Sequence, residues 1–320
     1  MTPSETIQIT QEILSAHQDE WEHRFVSYLK CTTQNIPEIL KRRSKFHKWS
    51  NLSVYSTIGD AKDDKPKFDL RYQGQSVGSI VIENEKVMLY MSPTQYKNNK
   101  DSKYFEGFPD FEYNDEDKYK YKWRGPEAKE FRRYFSTYPE KKRHPEHRFE
   151  NLLLKELSKK SRPNKSFIGI QPITLGKDIF FQLPTTLSAS GKEIKYSSNG
   201  GGIDILAKRD GHLVIFELKD EYKPSEGPEK VMSQAVAYAT FITELCKTEA
   251  AEYFWKLCGL NLNDTEKRKE IYVSILMPDP GNGEIPYHGE VIEVPGSDMH
   301  LKLHYMFFDK ETIAITRSSL

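Results

Sequence analysis

The stretch GIDILAKRDGHLVIFELK, residues 202–219, decides how this chain is read. Two apolar runs rich in β-branched residues flank Asp210-Gly211, a pair preferred in two-residue type I′ hairpin turns because both positions need positive φ. Such a turn fixes the register: Arg209 opposes His212, and counting outward rung by rung brings Asp204 opposite Glu217. Their Cβ atoms would lie roughly 4.5–5.5 Å apart on one face of the hairpin. Period-two alternation adds Lys219 to the face of Glu217, while Phe216 and Leu218 point the other way. Two like charges opposed among Ile203, Ile205, Leu206, Val214 and Phe216 destabilise a hairpin unless a positive group sits between them. A divalent cation is the natural candidate, and hard carboxylate oxygens suit Mg²⁺ or Mn²⁺. Leu218, at the end of the strand, offers a backbone carbonyl as a further ligand.

The rest of the composition limits the partners of such a patch. The 320 residues hold 47 Lys plus Arg and 47 Asp plus Glu, so the net charge is zero. A global polyanion-binding surface is therefore excluded, and any nucleic-acid site must be local. Mean hydropathy is −0.70 and aromatics make up 12% of the chain, which fits a globular protein with a well-solvated surface, not a disordered one. No window approaches about 18 uninterrupted apolar residues, which argues against a membrane span. The start MTPSETIQITQEIL lacks the basic and apolar regions of a secretory signal, and Cys31, Cys246 and Cys258 form no C-x-x-C pair. The expectation is a cytoplasmic, reduced protein without a cysteine metal site.

Working outward from the hairpin, PEHRFENLLLKELSKK from Pro145 carries a helix-start proline and an apolar stripe through Phe149, Leu153 and Leu157, which predicts a helix. Glu150 shares that apolar face by helical spacing, and a carboxylate in such company needs a partner. FIGIQPI and IFFQLPTTL predict short strands, and residues 188–202 an open loop. Pro228 to Lys247 predicts a second helix, on which Gln234 and Tyr238 lie one turn apart on one face. IYVSILM, LKLHYMFF and TIAIT predict three more strands. Upstream, apolar spacing predicts helices from Glu5 to about Ser50, and Phe68 to Met91 two or three antiparallel strands. Residues 98–145, charged and aromatic, predict an irregular connection with a short helix near Glu127 to Tyr134. The expected division is an α+β N-terminal module over 1–140 and a second domain over 141–320.

G-G-I-D at Gly201 to Asp204, followed by E-L-K at Glu217 to Lys219, resembles the core of the PD-(D/E)XK nuclease superfamily. Glu150 stands where that superfamily often has a carboxylate, and Gln234 with Tyr238 is similar to the Q-x-x-x-Y feature of RecB-type nucleases. The similarity covers about residues 145–280; Ile203 replaces the name-giving proline, and the four cysteines of iron–sulfur members are missing. The resemblance implies an α/β, restriction-endonuclease-like fold with a mixed central sheet flanked by helices. It implies a metal-dependent nuclease, most of all a DNA endonuclease, with DNA preferred over RNA. Glu150, Asp204 and Glu217 would hold Mg²⁺, Lys219 would act on the attacking water or the transition state, and Gln234 and Tyr238 would help position the backbone.

The clearest local excess of positive charge is Lys118 to Arg148, with Tyr119, Tyr121, Trp123, Phe131, Tyr134, Phe135 and Tyr138 interleaved. Cations there would meet phosphates and exposed rings would stack on unpaired bases, which makes Lys120, Lys122, Trp123 and Arg124 the candidate nucleic-acid contacts. The same residues also suit a linker whose rings pack onto protein. A non-cleaving nucleic-acid-binding or protein-interaction module on the same fold is the alternative function, with the N-terminal module selecting substrate or partner.

Overall fold

The computed structural model describes residues 1–42, 52–56, 67–113, 119–139, 145–158, 169–176, 179–190, 193–198, 200–221, 227–261, 263–281 and 287–320. The chain is mixed α and β and divides into two units: Met1–Thr33, Leu152–Ile173 and Gln182–Leu320 form one, Gln34–Asn151 and Thr174–Phe181 the other. This differs from a module ending at residue 140, because the first helices pack with the C-terminal half. No described helix is long and apolar enough to cross a membrane.

The first unit is built on a seven-stranded mixed sheet. Its middle runs Ile205–Arg209, His212–Leu218, Glu270–Pro278 and His300–Phe308, with Ile170–Pro172 beyond the first of these and Glu290–Glu293 and Ile315–Ser318 both pairing the last. Asp210 and Gly211 carry φ of 52° and 91°, the paired positive values a type I′ turn needs, and Arg209 pairs with His212. The strand His212–Leu218 runs parallel to Glu270–Pro278, which requires a crossover. The helix Pro228–Leu245 supplies it, starting with proline at its first turn and buried on nearly every side. That all-round burial follows from its two neighbours: the sheet on one side and the helix Pro3–Ala16 on the other. Trp21 and Phe25, on the helix Gln18–Arg42, set their rings 5.6 and 4.9 Å from Phe241. Gln11 donates to Glu244, and His17 stacks on Tyr196 at 3.9 Å. The segment 188–202, expected to be an open loop, includes most of an antiparallel pair, Leu187–Ser190 with Glu193–Tyr196.

His304, on the strand His300–Phe308, is buried in this unit, with Nδ1 toward the Ser319 carbonyl. Burial pushes its pKa down to about 4, and Lys302 and Arg209 add to the effect. The folded value lies below the unfolded one of 6.5, so its contribution to stability is complete above about pH 6.5 and is lost as pH falls toward 4. The wild type should lose up to about 3 kcal/mol over that window through this one group. His304→Gln should show a flatter stability–pH curve between those values in urea unfolding; parallel curves would mean that His304 is not held neutral.

The second unit has its own seven-stranded sheet, ordered Tyr119–Lys122, Lys86–Met91, Gln75–Glu83, Lys67–Tyr72, Leu52–Ser56, Ile179–Phe181 and Thr174–Leu175. One face, including Phe68, Leu70, Ile80, Leu89 and Met91, is largely apolar and buried. The helix Pro126–Thr137 contributes Phe131 and Phe135, whose rings meet each other at 4.9 Å and pack with Phe105 and Phe108. Close approach explains Gly78: a Cβ there would stand 3.2 Å from the Phe131 ring. Within the expected irregular connection the helix Pro126–Thr137 stands where a short one was expected and Tyr119–Lys122 adds an edge strand, while residues 114–118 and 140–144 lie outside the described residues.

Candidate functional site

The site grows from the end of the hairpin opposite its turn. The ladder between the two strands closes at Ile205 with Phe216, one rung before the expected Asp204–Glu217 pair. Beyond that rung the Asp204 carboxylate takes over from the backbone: its Oδ2 accepts a hydrogen bond from the Leu218 amide at 2.8 Å. Asp204 is thereby held beside the end of the neighbouring strand. The approach to it is fixed as well, because the Gly201 amide donates to the Leu187 carbonyl, the Thr185 amide to Gly201, and the Ile203 amide to Leu183.

Glu217 is only 2% exposed, and the Lys219 ammonium lies 3.0 Å from its Oε1. Alternation along the strand gives this pair, two residues apart on one face. Tyr238 and Gln234 close the group from the crossover helix, with Gln234 Nε2 3.4 Å from the Tyr238 hydroxyl. Burial pushes the Tyr238 pKa up to about 12, and the charges of Glu217 and Asp204 add to this while Lys219 opposes it. At neutral pH Tyr238 is therefore a neutral hydroxyl, able to donate as well as accept a hydrogen bond. Asp204, Glu217, Lys219, Gln234 and Tyr238 thus act on one another in one place.

Glu150 belongs to a different group of side chains. It lies in the other unit, on the helix Pro145–Leu157, buried with Oε1 3.5 Å from Arg71 Nη1. Arg71 also pairs with Asp69 at 2.7 Å and sits over the Tyr55 ring at 4.1 Å. The partner that a carboxylate on an apolar helix face needs is thus an arginine. Among the described residues no three His, Cys, Asp or Glu side chains gather closely enough to hold a metal ion. The residues of the first unit that could offer oxygens to an ion such as Mg²⁺ are the two carboxylates Asp204 and Glu217, beside the Leu218 backbone. That set fits an ion that keeps most of its waters and takes one or two carboxylates.

The expected nucleic-acid contacts separate. Trp123 is 4% exposed, its ring covered by the Arg132 guanidinium at 4.3 Å, so it has no face to offer a base. Lys120 pairs with Glu83 at 2.6 Å. Lys122 and Arg124 are exposed. Tyr119, Tyr121, Phe131 and Phe135 are buried and Tyr134 and Tyr138 half-buried, so most of these rings pack onto protein, the other of the two readings of this stretch.

Gly201 went unrecognised as a site residue, although the run Gly200-Gly201-Gly202 signals close backbone approach. A Cβ at Gly201 would stand 2.5 Å from the Tyr238 hydroxyl. Gly201→Ala should cost about 1–3 kcal/mol, the usual penalty for overpacking. In a Tyr238→Phe background, where that hydroxyl is gone, the cost should largely vanish in urea unfolding; equal costs in both backgrounds would mean that the two residues do not meet. No family model matches the chain, and neither does any curated protein or solved structure.

Proposed function

We propose that the chain is a metal-dependent nuclease acting on DNA in preference to RNA, with its site at the open end of the acidic hairpin. The observation that carries this reading is the buried Glu217 carboxylate, held with Asp204, Lys219 and Tyr238 at the end of a strand. A structural ion pair alone would not need a second carboxylate and a tyrosine focused on the same point. The chain order of antiparallel hairpin, crossover helix and parallel strand supports a restriction-endonuclease-like core.

In this reading Asp204 and Glu217, with the Leu218 carbonyl, would hold Mg²⁺ or Mn²⁺. The ion supplies an acidified water and neutralises charge on the phosphate. The chain's own residues do the rest. Lys219, tied to Glu217, puts a positive charge beside the reacting phosphate and can hand on a proton. Tyr238 and Gln234 present donors that orient the phosphodiester, and the buried setting of Glu217 strengthens each of these interactions.

Lys219→Ala should lower the single-turnover cleavage rate by about 10²-fold at saturating Mg²⁺, with little change in metal affinity. Full recovery of rate in excess Mg²⁺ would reduce Lys219 to a support for the ligands. The test of the whole proposal is incubation with circular single- and double-stranded DNA and with RNA, in Mg²⁺, Mn²⁺ or EDTA. Opening of circles that EDTA stops is the expected result. Binding without cleavage in every metal would leave a recognition module in place of an enzyme.

A further inference from the structure

The second unit holds a cavity of ≈ 500 Å³ on the polar face of its sheet. Asp69, Ser79, Tyr90 and Lys120 are opposed in one rung across four strands, so they stand on the same face, opposite to the apolar face that meets Phe131. Polar residues are ordinary on a sheet face open to water. This face differs because two nearly buried side chains at it, Ser79 and Asn99, each keep a polar atom open to the cavity. Ser79 is 6% exposed and its hydroxyl bonds to no described residue. Asn99, on the helix Pro93–Lys100, is 1% exposed; its Nδ2 donates to the Val77 carbonyl at 2.7 Å, which fixes the amide orientation and leaves Oδ1 with no described partner. Both line the cavity. Neither atom is sealed from solvent, so each can exchange a water for a ligand group of matching polarity.

The lining states what that ligand is. Asp69, which pairs with Arg71 at 2.7 Å and accepts from Ser76, and Lys67 put one charge of each sign on the lining, which favours a neutral molecule over an ion. Asn99 Oδ1 needs a donor, and the Ser79 hydroxyl gives or accepts a hydrogen bond. Gln95 has Nε2 committed to Ser76 at 2.8 Å, so its carbonyl oxygen is the atom left to face the cavity. Tyr90 adds an aromatic ring, with the Lys67 ammonium 5.2 Å from its centroid. Adjacent donors and acceptors on a flat molecule that can also meet an aromatic ring describe a nucleobase, and the volume suits a nucleoside. We infer that this cavity binds one nucleobase, carried either by a free nucleoside or by a nucleic-acid strand. The inference stands apart from the nuclease reading, since base binding by a chain that cuts nothing would leave it intact.

The test is calorimetric titration of the full chain with adenosine, guanosine, cytidine and thymidine, and with glucose as a hydrogen-bonding molecule that lacks a flat ring. At least one nucleoside should saturate a single site per chain with Kd below about 1 mM. Ser79→Met, which fills the cavity, should weaken that binding at least about tenfold with an unchanged circular dichroism spectrum. Should that variant fail to fold, Asn98→Phe at the exposed rim blocks the same opening and should give the same loss. A duplex with one unpaired base, compared with the same duplex carrying an abasic position, distinguishes the sources. Preference for the unpaired base assigns the ligand to a strand, and nucleoside binding without that preference assigns it to a free nucleoside. Failure of all four nucleosides and the unpaired base to bind, equal binding by glucose, or binding that a folded cavity-blocking variant leaves unchanged would overturn the inference.

Discussion

In the nuclease proposed above, Glu217→Gln and Asp204→Asn should each reduce Mg²⁺-dependent cleavage on the order of 10³-fold while the protein stays folded. The magnitude follows from the donor set. In the proposed site Asp204 and Glu217 are the carboxylates beside the Leu218 backbone, and neutralising either would halve the negative charge that this pair offers an ion. The two substitutions are chosen to change charge and little else. Asp204→Asn keeps a side-chain oxygen that can still accept from the Leu218 amide, whereas Asp204→Ala would also remove that bond, at about 1–3 kcal/mol more. Glu217→Gln keeps the shape of a side chain that is almost wholly buried and relieves the like charge of Asp204, at the expense of its pair with Lys219. Rates would be measured in single turnover over a range of Mg²⁺, with urea unfolding as the check on folding. A wild-type rate in either variant means that the metal site lies elsewhere.

Trp123→Ala should cost about 3–5 kcal/mol of stability, the range for emptying a large aromatic site in a core. The indole is 4% exposed, and Arg132 lies over it while donating to the Trp123 carbonyl at 2.6 Å. Burial lowers the Arg132 pKa, so that guanidinium already bears a desolvation cost that the indole face helps to offset. Removing the ring leaves a cavity beside a partly buried cation. The midpoint in urea should fall sharply, and the affinity of the remaining folded protein for single-stranded DNA should stay the same. An unchanged midpoint with lower affinity would return Trp123 to the role of a stacking platform.

These two cases mark what the sequence made legible. The hairpin register could be read because turn chemistry is local: Asp210-Gly211 prescribes positive φ, and the chain adopts it. Gln234 and Tyr238 could be paired because helical spacing is also local. Where the ladder stops was not local, since it depends on the Asp204 carboxylate replacing a backbone partner. The partner of Glu150 is an arginine far back in the chain, and nothing in the spacing around Glu150 selects Arg71. The basic and aromatic stretch misled for a related reason. Composition cannot say which side of a ring meets water, although Tyr119-Lys120-Tyr121-Lys122 alternates as an edge strand should, with both tyrosines buried.

The interleaved order of the two units has a consequence for how the chain is made. On the ribosome the helix Pro3–Ala16 emerges early, but the helix it packs against, Pro228–Leu245, is synthesised more than two hundred residues later. Residues 34–151 all emerge in between and belong to the other unit. Thr6, Ile7, Thr10 and Leu14 are buried in the finished protein, yet must wait for more than two hundred further residues before their surroundings exist. Long-range closure of this kind slows folding and exposes apolar surface to aggregation. The same order makes a fragment cut at residue 141 a poor stand-in for the first unit. It would lack Trp21 and Phe25 against Phe241, and so one wall of the helix that carries Tyr238.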